Sequence, residues 1–287
     1  MGRAGATAVR AGWVRRLAAG LAGLGLMGLT AVLAELVAQG VPHLNWHFLT
    51  AAPSEFQPRG GIGPELVNTV VMVLAAEALS WPLAWAAAIW RVEYAPRPTL
   101  VRVYDLLLMA FQSLPGIALA LVLFSVLVID WGWPLSVATG TVALAVLNWP
   151  VAAVLCQEAM ARVPEAWREG SWALGATRFQ TLTRIVIPAA LPDLAAGLGL
   201  SLARLSGETA VLIFTAGVNV GPQWGWFEPG ETLAVHLWYV RTEGLMPDRG
   251  AVAAATGTVL LALVALGVLG GRWLARRLGA PKEPLRF

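Results

Sequence analysis

Long apolar runs, broken by short polar or glycine- and proline-rich stretches, set the rhythm of this chain. A hydrocarbon layer about 30 Å thick is crossed by roughly 20 apolar residues in helical form. Six stretches reach that length: about Leu17–Val37, Glu65–Ile89, Leu106–Ile129, Leu135–Leu155, Leu191–Ala216 and Ala251–Leu274. The first is longer than a secretory signal core and lacks a clear cleavage site, so it reads as a retained span. Trp81, Trp85, Trp90, Trp131, Trp133, Trp149 and Trp273 fall in or near span ends, where indole suits the interface between lipid and water. The pattern predicts an all-α membrane protein with six transmembrane helices and one membrane domain. Its divisions are an N-terminal segment over 1–16, the six-span domain over 17–278 and a tail over 279–287.

The polar positions give the direction. The N-terminal segment, the second and fourth connections and the C-terminus carry sixteen of the basic residues, against three (Arg59, Arg241 and Arg249) in the odd-numbered connections. The positive-inside rule then places both termini in the cytoplasm. Charged residues make up only 13% of the 287 positions, about half the share of a soluble domain, which reinforces the membrane reading. Lys282 is the sole lysine, and the clustered arginines speak for topology rather than nucleic-acid binding. Cys156, the sole cysteine, lies in an apolar run and excludes a disulfide framework or a cysteine metal site. Two outer connections are long, about Ala38–Pro64 and Val218–Gly250. The second contains Gly221-Pro-Gln-Trp-Gly-Trp-Phe-Glu-Pro-Gly230, too irregular to cross lipid and suited to pack over a pore mouth or meet a partner.

The fourth connection, about 158–188, predicts two short helices over Val163–Ile187. Pro164 suits a first helical position and Glu165 the positive helix N-terminus. Gly175 is placed to stop the first helix in the left-handed region. Thr177-Arg-Phe-Gln180 reads as a capping box that starts the second, and Pro188 and Pro192 flank the start of the fifth span. Trp167, Trp172, Leu174 and Phe179 could fill a groove on another protein, with Arg168, Glu169, Arg178 and Arg184 setting register. An amphipathic elbow lying on lipid headgroups is the plainer alternative.

Within this connection, Glu169-Gly-Ser-Trp-Ala-Leu-Gly175, then nine residues, then Ile185-Val-Ile187-Pro188, resembles the cytoplasmic loop signature of ABC-importer permeases: Glu-Ala-Ala, three residues, Gly, nine residues, Ile-x-Leu-Pro. Gly170 and Ser171 stand in place of two alanines and Ile187 in place of leucine. The resemblance implies a type I ABC-importer permease fold with cytoplasmic coupling helices. It also implies an ATPase-coupling surface at Arg168, Glu169, Gly170, Ser171, Gly175, Ile185 and Pro188.

A narrower resemblance runs from Gly60 to the C-terminus. Gly60-Gly-Ile-Gly-Pro64 with Asn68-Thr69, Val92-Glu-Tyr-Ala95, Gln112-Ser-Leu-Pro-Gly116 and Glu231-Thr-Leu233 with Trp238-Tyr239 are similar to phosphate-specific permeases. Arg204-Leu-Ser-Gly207-Glu208-Thr209-Ala210 is similar to the Arg-x-x-Gly-Glu-Thr-Ala segment of the PstA-type subunit; the PstC-type sibling usually has methionine after Gly-Glu-Thr. A buried arginine in a span must face protein or water, since lipid costs it at least about 2.5–3.5 kcal/mol. Glu208 lies four residues on and would share its helix face. The residues alone leave two readings open: Arg204 and Glu208 neutralise each other, or the guanidinium is offered to a passing oxyanion. The resemblance favours the second, with Arg204, Glu208 and Thr209 on the substrate path. It implies a PstC-like permease partner, a PstB-like cytoplasmic ATPase dimer and an extracytoplasmic phosphate-binding protein around a bacterial inner-membrane chain.

No catalytic set is found. A P-loop ends in Lys-Ser/Thr, which the sole lysine excludes, so the chain itself binds no cofactor and ATP with Mg would be used by the partner ATPase. His43 and His47 lie four apart without a third ligand, and no metal site is expected. Glu77 reads as able to pair with an arginine of a partner chain or to face a water-filled crevice. The rival readings are a permease for another oxyanion (molybdate, sulfate or phosphonate), a signalling or scaffold subunit that moves nothing, and a membrane enzyme.

Overall fold

The computed structural model describes residues 2–54, 60–95, 97–218 and 225–279. Arg59, Lys282, Arg286, the Gly221–Trp224 stretch and the tail beyond Gly279 lie outside them. Helix α1 (Gly2–Gly40) joins the N-terminal segment and the first span without a break. A short 3-10 turn, Val41–His43, leads to α2 (Trp46–Thr50), whose N-terminus is capped by Asn45 accepting from the Phe48 N–H at 2.9 Å. Helix α3 (Gly63–Ile89) opens with Pro64 in its first turn and closes in a π-helical turn, Trp90–Tyr94.

The third predicted span is not straight. Helix α4 (Pro98–Ser113) and helix α5 (Gly116–Leu123), extended by a π-helical turn to Asp130, meet at an angle of 98°. Pro115 is the cause: a residue before proline is driven to extended backbone, and Leu114 sits at ψ 133°. Helix α6 (Val137–Ala161) starts under a Ser136 cap. Carbonyls of the outer loop also serve its first turn, with Val137 N–H donating to Glu228 O at 3.0 Å and Ala138 N–H to Trp226 O at 2.7 Å. The described part of that glycine- and tryptophan-rich segment therefore covers a helix end.

Helices α7 (Glu165–Ala173) and α8 (Arg178–Thr181) form the fourth connection. The second does not stop before the membrane. It runs through a π-helical turn, Leu182–Val186, into α9 (Ile187–Ser206), making one helix of 29 residues over Arg178–Ser206. Pro188 has no N–H for the Arg184 carbonyl, and a widened turn absorbs that loss without ending the helix. At its other end the expected span to Ala216 breaks at Ser206, and α10 (Ala210–Thr215) starts afresh. Helix α11 (Leu233–Thr242) lies in the last outer connection and α12 (Arg249–Arg277) completes the chain. Among the described residues, five helices are thus long and apolar enough to span a membrane, and the bent α4–α5 pair makes a sixth crossing if counted as one.

Packing fixes their directions. A methyl on Gly199 of α9 would stand 2.5 Å from the Gly267 carbonyl oxygen and 2.7 Å from the Gly271 Cα, while Gly271 also faces Ala195 and Gly267 faces Ala203. The two backbones touch in antiparallel order through small residues, as membrane helices do where lipid gives no hydrophobic drive. Gly40 packs on Ala254 and Thr258, and Leu36 on Gly257, so α1 also runs antiparallel to α12. In the centre, Asn148 of α6 donates to Glu77 Oε2 at 3.0 Å and to Ser80 Oγ at 2.9 Å on α3, and accepts from Ser201 Oγ of α9 at 2.8 Å. Glu77 is therefore engaged inside its own chain by Asn148. Cys156 is buried, as expected.

Candidate functional site

The elbow after α6 is built from local rules. Pro164 occupies the N-cap position of α7 rather than the first helical turn. Gly175 takes φ +80°, and its N–H reaches Trp172 O at 2.9 Å while Ala176 N–H reaches Ser171 O at 3.2 Å. That pair of bonds is a Schellman motif, which needs the left-handed residue glycine supplies. The capping box also forms: Gln180 N–H donates to Thr177 Oγ1 at 3.2 Å, and Thr177 N–H to Gln180 Oε1 at 2.8 Å.

Two of the residues expected on the coupling surface point inward. Arg168 is buried, with both Nε and Nη2 donating to Glu93 Oε1, at 3.1 and 3.0 Å. It also donates to Val163 O at 2.6 Å and Met160 O at 3.0 Å, carbonyls at and just beyond the end of α6. The arginine thus bolts α7 to α6 and to the π-helical turn after α3. Ser171 is buried too, its Oγ 2.9 Å from Thr181 Oγ1, and fastens α7 to α8. Ile185 is half-buried. Glu169, Gly170, Gly175 and Pro188 are exposed. Around them Trp167, Trp172, Leu174 and Phe179 stand out at 54%, 41%, 90% and 66% exposure. The outer face of the elbow is thus a large exposed apolar patch.

The second element of the site is where two helices break side by side. Arg204 lies in the last turn of α9 and is exposed, while Glu208 and Thr209 sit in the break before α10, outside any helix. Their expected common helix face does not exist, and among the described residues no ion pair joins Arg204 to Glu208. The cause is the helix end at Ser206, where Gly207 N–H turns back to Arg204 O at 3.2 Å and Glu208 N–H to Leu205 O at 3.0 Å. A Cβ on Gly116 would lie 4.0 Å from Glu208 Oε1, so the break after α9 meets the break between α4 and α5. Irregular backbone at membrane depth is tolerated only where it is buried or lines a watery path. Of the expected path residues, Glu208 is the one brought to the α4–α5 break, while Arg204 and Thr209 flank it along the chain.

Breaks in the spans and an exterior elbow bolted to the bundle are the two irregular features of this multi-span membrane chain. The chain belongs to the family described as binding-protein-dependent transport system inner membrane component, whose model matches residues 80–280. It is a multi-pass inner-membrane permease subunit with the type I ABC-importer fold. It is 32% identical over 276 residues to the probable ABC transporter permease protein YqgI of Bacillus subtilis, covering 90% of this chain and 94% of that one. It is 33% identical over 197 residues to the probable phosphate transport system permease protein PstA of Methanocaldococcus jannaschii, covering 68% of each. Among solved structures, it matches the inward-facing MetNI methionine ABC transporter with TM-score 0.63 at 20% identity, over 74% of this chain and 93% of that one. A bacterial alginate ABC transporter, solved with a pentasaccharide-bound periplasmic protein, matches with TM-score 0.61 at 15% identity over 97% of this chain and 99% of that one.

Proposed function

We propose that this chain is half of the translocation path of an ATP-driven phosphate importer and receives its motion from a separate ATPase. The observation that carries the coupling is the elbow: its apolar outer face is exposed, while Arg168 and Ser171 fix its inner side to α6, α8 and the end of α3. Closure of a PstB-like ATPase dimer on ATP pushes the elbow as one body. The spans then shift between two packings, a population shift set by differential ATP affinity. The anion is supported by the PstA-type relatives and by Arg204, an exposed guanidinium at the paired breaks whose planar fork suits phosphate oxygens. A path needs contacts weak enough to release, and a single exposed arginine meets that need. The assembly is completed by a PstC-like permease and an extracytoplasmic phosphate-binding protein, with both termini in the cytoplasm.

The test is uptake in cells deleted for this gene. Labelled phosphate uptake falls to background and is restored by the wild-type chain, but not by Glu169→Lys or Gly175→Pro. Phosphate uptake left intact by the deletion, with molybdate, sulfate or phosphonate uptake lost, overturns the anion. Full restoration by both elbow variants overturns the coupling and favours a scaffold role.

A further inference from the structure

Away from the elbow and the paired breaks, the fold buries three ionisable side chains together on the outer side. They are Glu65 in the first turn of α3, Glu231 in the loop before α11, and His236 on α11. Their residue exposures are 1%, 0% and 0%. One ligand atom from each lies within 4.8 Å of the other two. His236 Nδ1 is 2.7 Å from Glu231 Oε1. Among the described residues, Glu65 Oε2 and His236 Nε2 have no hydrogen-bond partner. Such orphans are rare in native interiors and call for an ion or a water.

We propose that Glu65, Glu231 and His236 bind one divalent first-row transition cation, of the Zn²⁺ or Mn²⁺ class. The argument is first one of burial: three ionisable side chains share a place shut off from water, where isolated charge is strongly disfavoured and a bound cation would satisfy their donor atoms. Next comes donor type: mixed imidazole and carboxylate ligands suit zinc, iron and manganese, and no thiolate is present to select a softer ion. A carboxylate on one ring nitrogen, with the other nitrogen unpaired, is also how metal-bound histidines are oriented. Burial opposes protonation of the ring, but the Glu231 hydrogen bond and the charges of Glu231 and Glu65 outweigh it and hold His236 above its ordinary value. A proton is thus the competing occupant.

The surroundings are built for rigidity. Asn68 Nδ2 donates to Glu231 O at 3.2 Å, Leu233 N–H to Thr69 Oγ1 at 2.8 Å, and Thr69 Oγ1 to Glu65 O at 2.6 Å. An ion here would staple the last outer connection to the start of α3. The proposal departs from the expectation of no metal site and is independent of the anion carried.

The experiment uses the full chain in detergent, dialysed against chelator, then titrated separately with ZnCl₂ and MnCl₂. About one ion per chain is retained through gel filtration by elemental analysis, and the thermal midpoint rises by about 5 °C or more with at least one of the two. Glu65→Gln and His236→Gln each abolish retention and shift. The double variant His43→Ala, His47→Ala keeps both, which removes the outer histidine pair as the source. No retained ion in the wild-type chain overturns the proposal, whatever the variants do. So does retention that survives both Glu65→Gln and His236→Gln. A midpoint that rises in Glu65→Gln while the wild type holds no ion shows a shared proton instead, and overturns it equally.

Discussion

Removing the Arg168 guanidinium would strand the Glu93 carboxylate, since their side chains are only 6% and 11% exposed in the pair. Breaking a buried pair from one side costs about 3–5 kcal/mol, far more than the pair contributes in place. Val163 O would lose its side-chain donor as well, and Met160 O one of its donors. Arg168→Ala is therefore expected to lower the thermal midpoint of the purified chain strongly. Glu169→Ala, at an exposed site one residue away, should leave it within about 0.5 kcal/mol of wild type. Transport separates them further: Glu169→Ala weakens ATPase stimulation in a well-folded chain, whereas Arg168→Ala loses it through the fold. A midpoint unchanged in Arg168→Ala would contradict the bolt. The motif spacing pointed to both residues, but helical sequence does not say which of two neighbours faces inward when its partner, Glu93, lies 75 positions away.

At the scale of elements, what could be read and what could not divides along local chemistry. Gly175 and the Thr177–Gln180 box act within a few residues, and their geometry is as their identities require. The bend at Leu114–Gly116 had a visible signal in Pro115, yet a long hydropathy window averages across a two-residue gap. The break at Gly207–Thr209 had a weaker one, because Gly207 fits an apolar helical pattern and only the turn made by the backbone ends α9. The cluster of Glu65, Glu231 and His236 had none, being joined by folding across more than 160 positions. Proximity of the two breaks can be tested because the sole cysteine, Cys156, is fully buried. In a Cys156→Ser background, Gly116→Cys with Glu208→Cys should be joined by a short bifunctional thiol reagent. The control pair Gly116→Cys with Gly170→Cys should not. Single Ser113→Cys and Thr209→Cys should react with a water-soluble maleimide, as a watery path requires. Failure of the 116–208 pair to join, with both thiols reactive, would separate the breaks and remove the site.

For the whole molecule the open geometrical question is whether the bent α4–α5 pair crosses the membrane or dips in and returns. Parity decides it. Six crossings put both termini on one side, and five put them on opposite sides. The packing of α1 and α9 against α12 places the N-terminus, the elbow and the end of α12 at one end of the bundle, with the end of α3 tied there through Arg168 and Glu93. Arg91, Arg162, Arg178, Arg184, Arg272, Arg276 and Arg277 gather at that same end. At the other end, Ser136 N–H donates to Thr215 O at 3.1 Å and Val137 N–H to Glu228 O at 3.0 Å, so the connection after α5 joins the outer loops. A chain that leaves α3 at the arginine-rich end and begins α6 at the opposite end must cross between them. Alkaline phosphatase fused after Trp133 is therefore expected to be active, as is a fusion after Ala51. Fusions after Arg97 and Arg162 should be inactive, and a fluorescent protein at the C-terminus should fold and glow, as cytoplasmic placement requires. An inactive fusion after Trp133 beside an active one after Ala51 would make the bent pair re-entrant and send the two termini to opposite faces. The elbow could then no longer share a compartment with both ends of the chain.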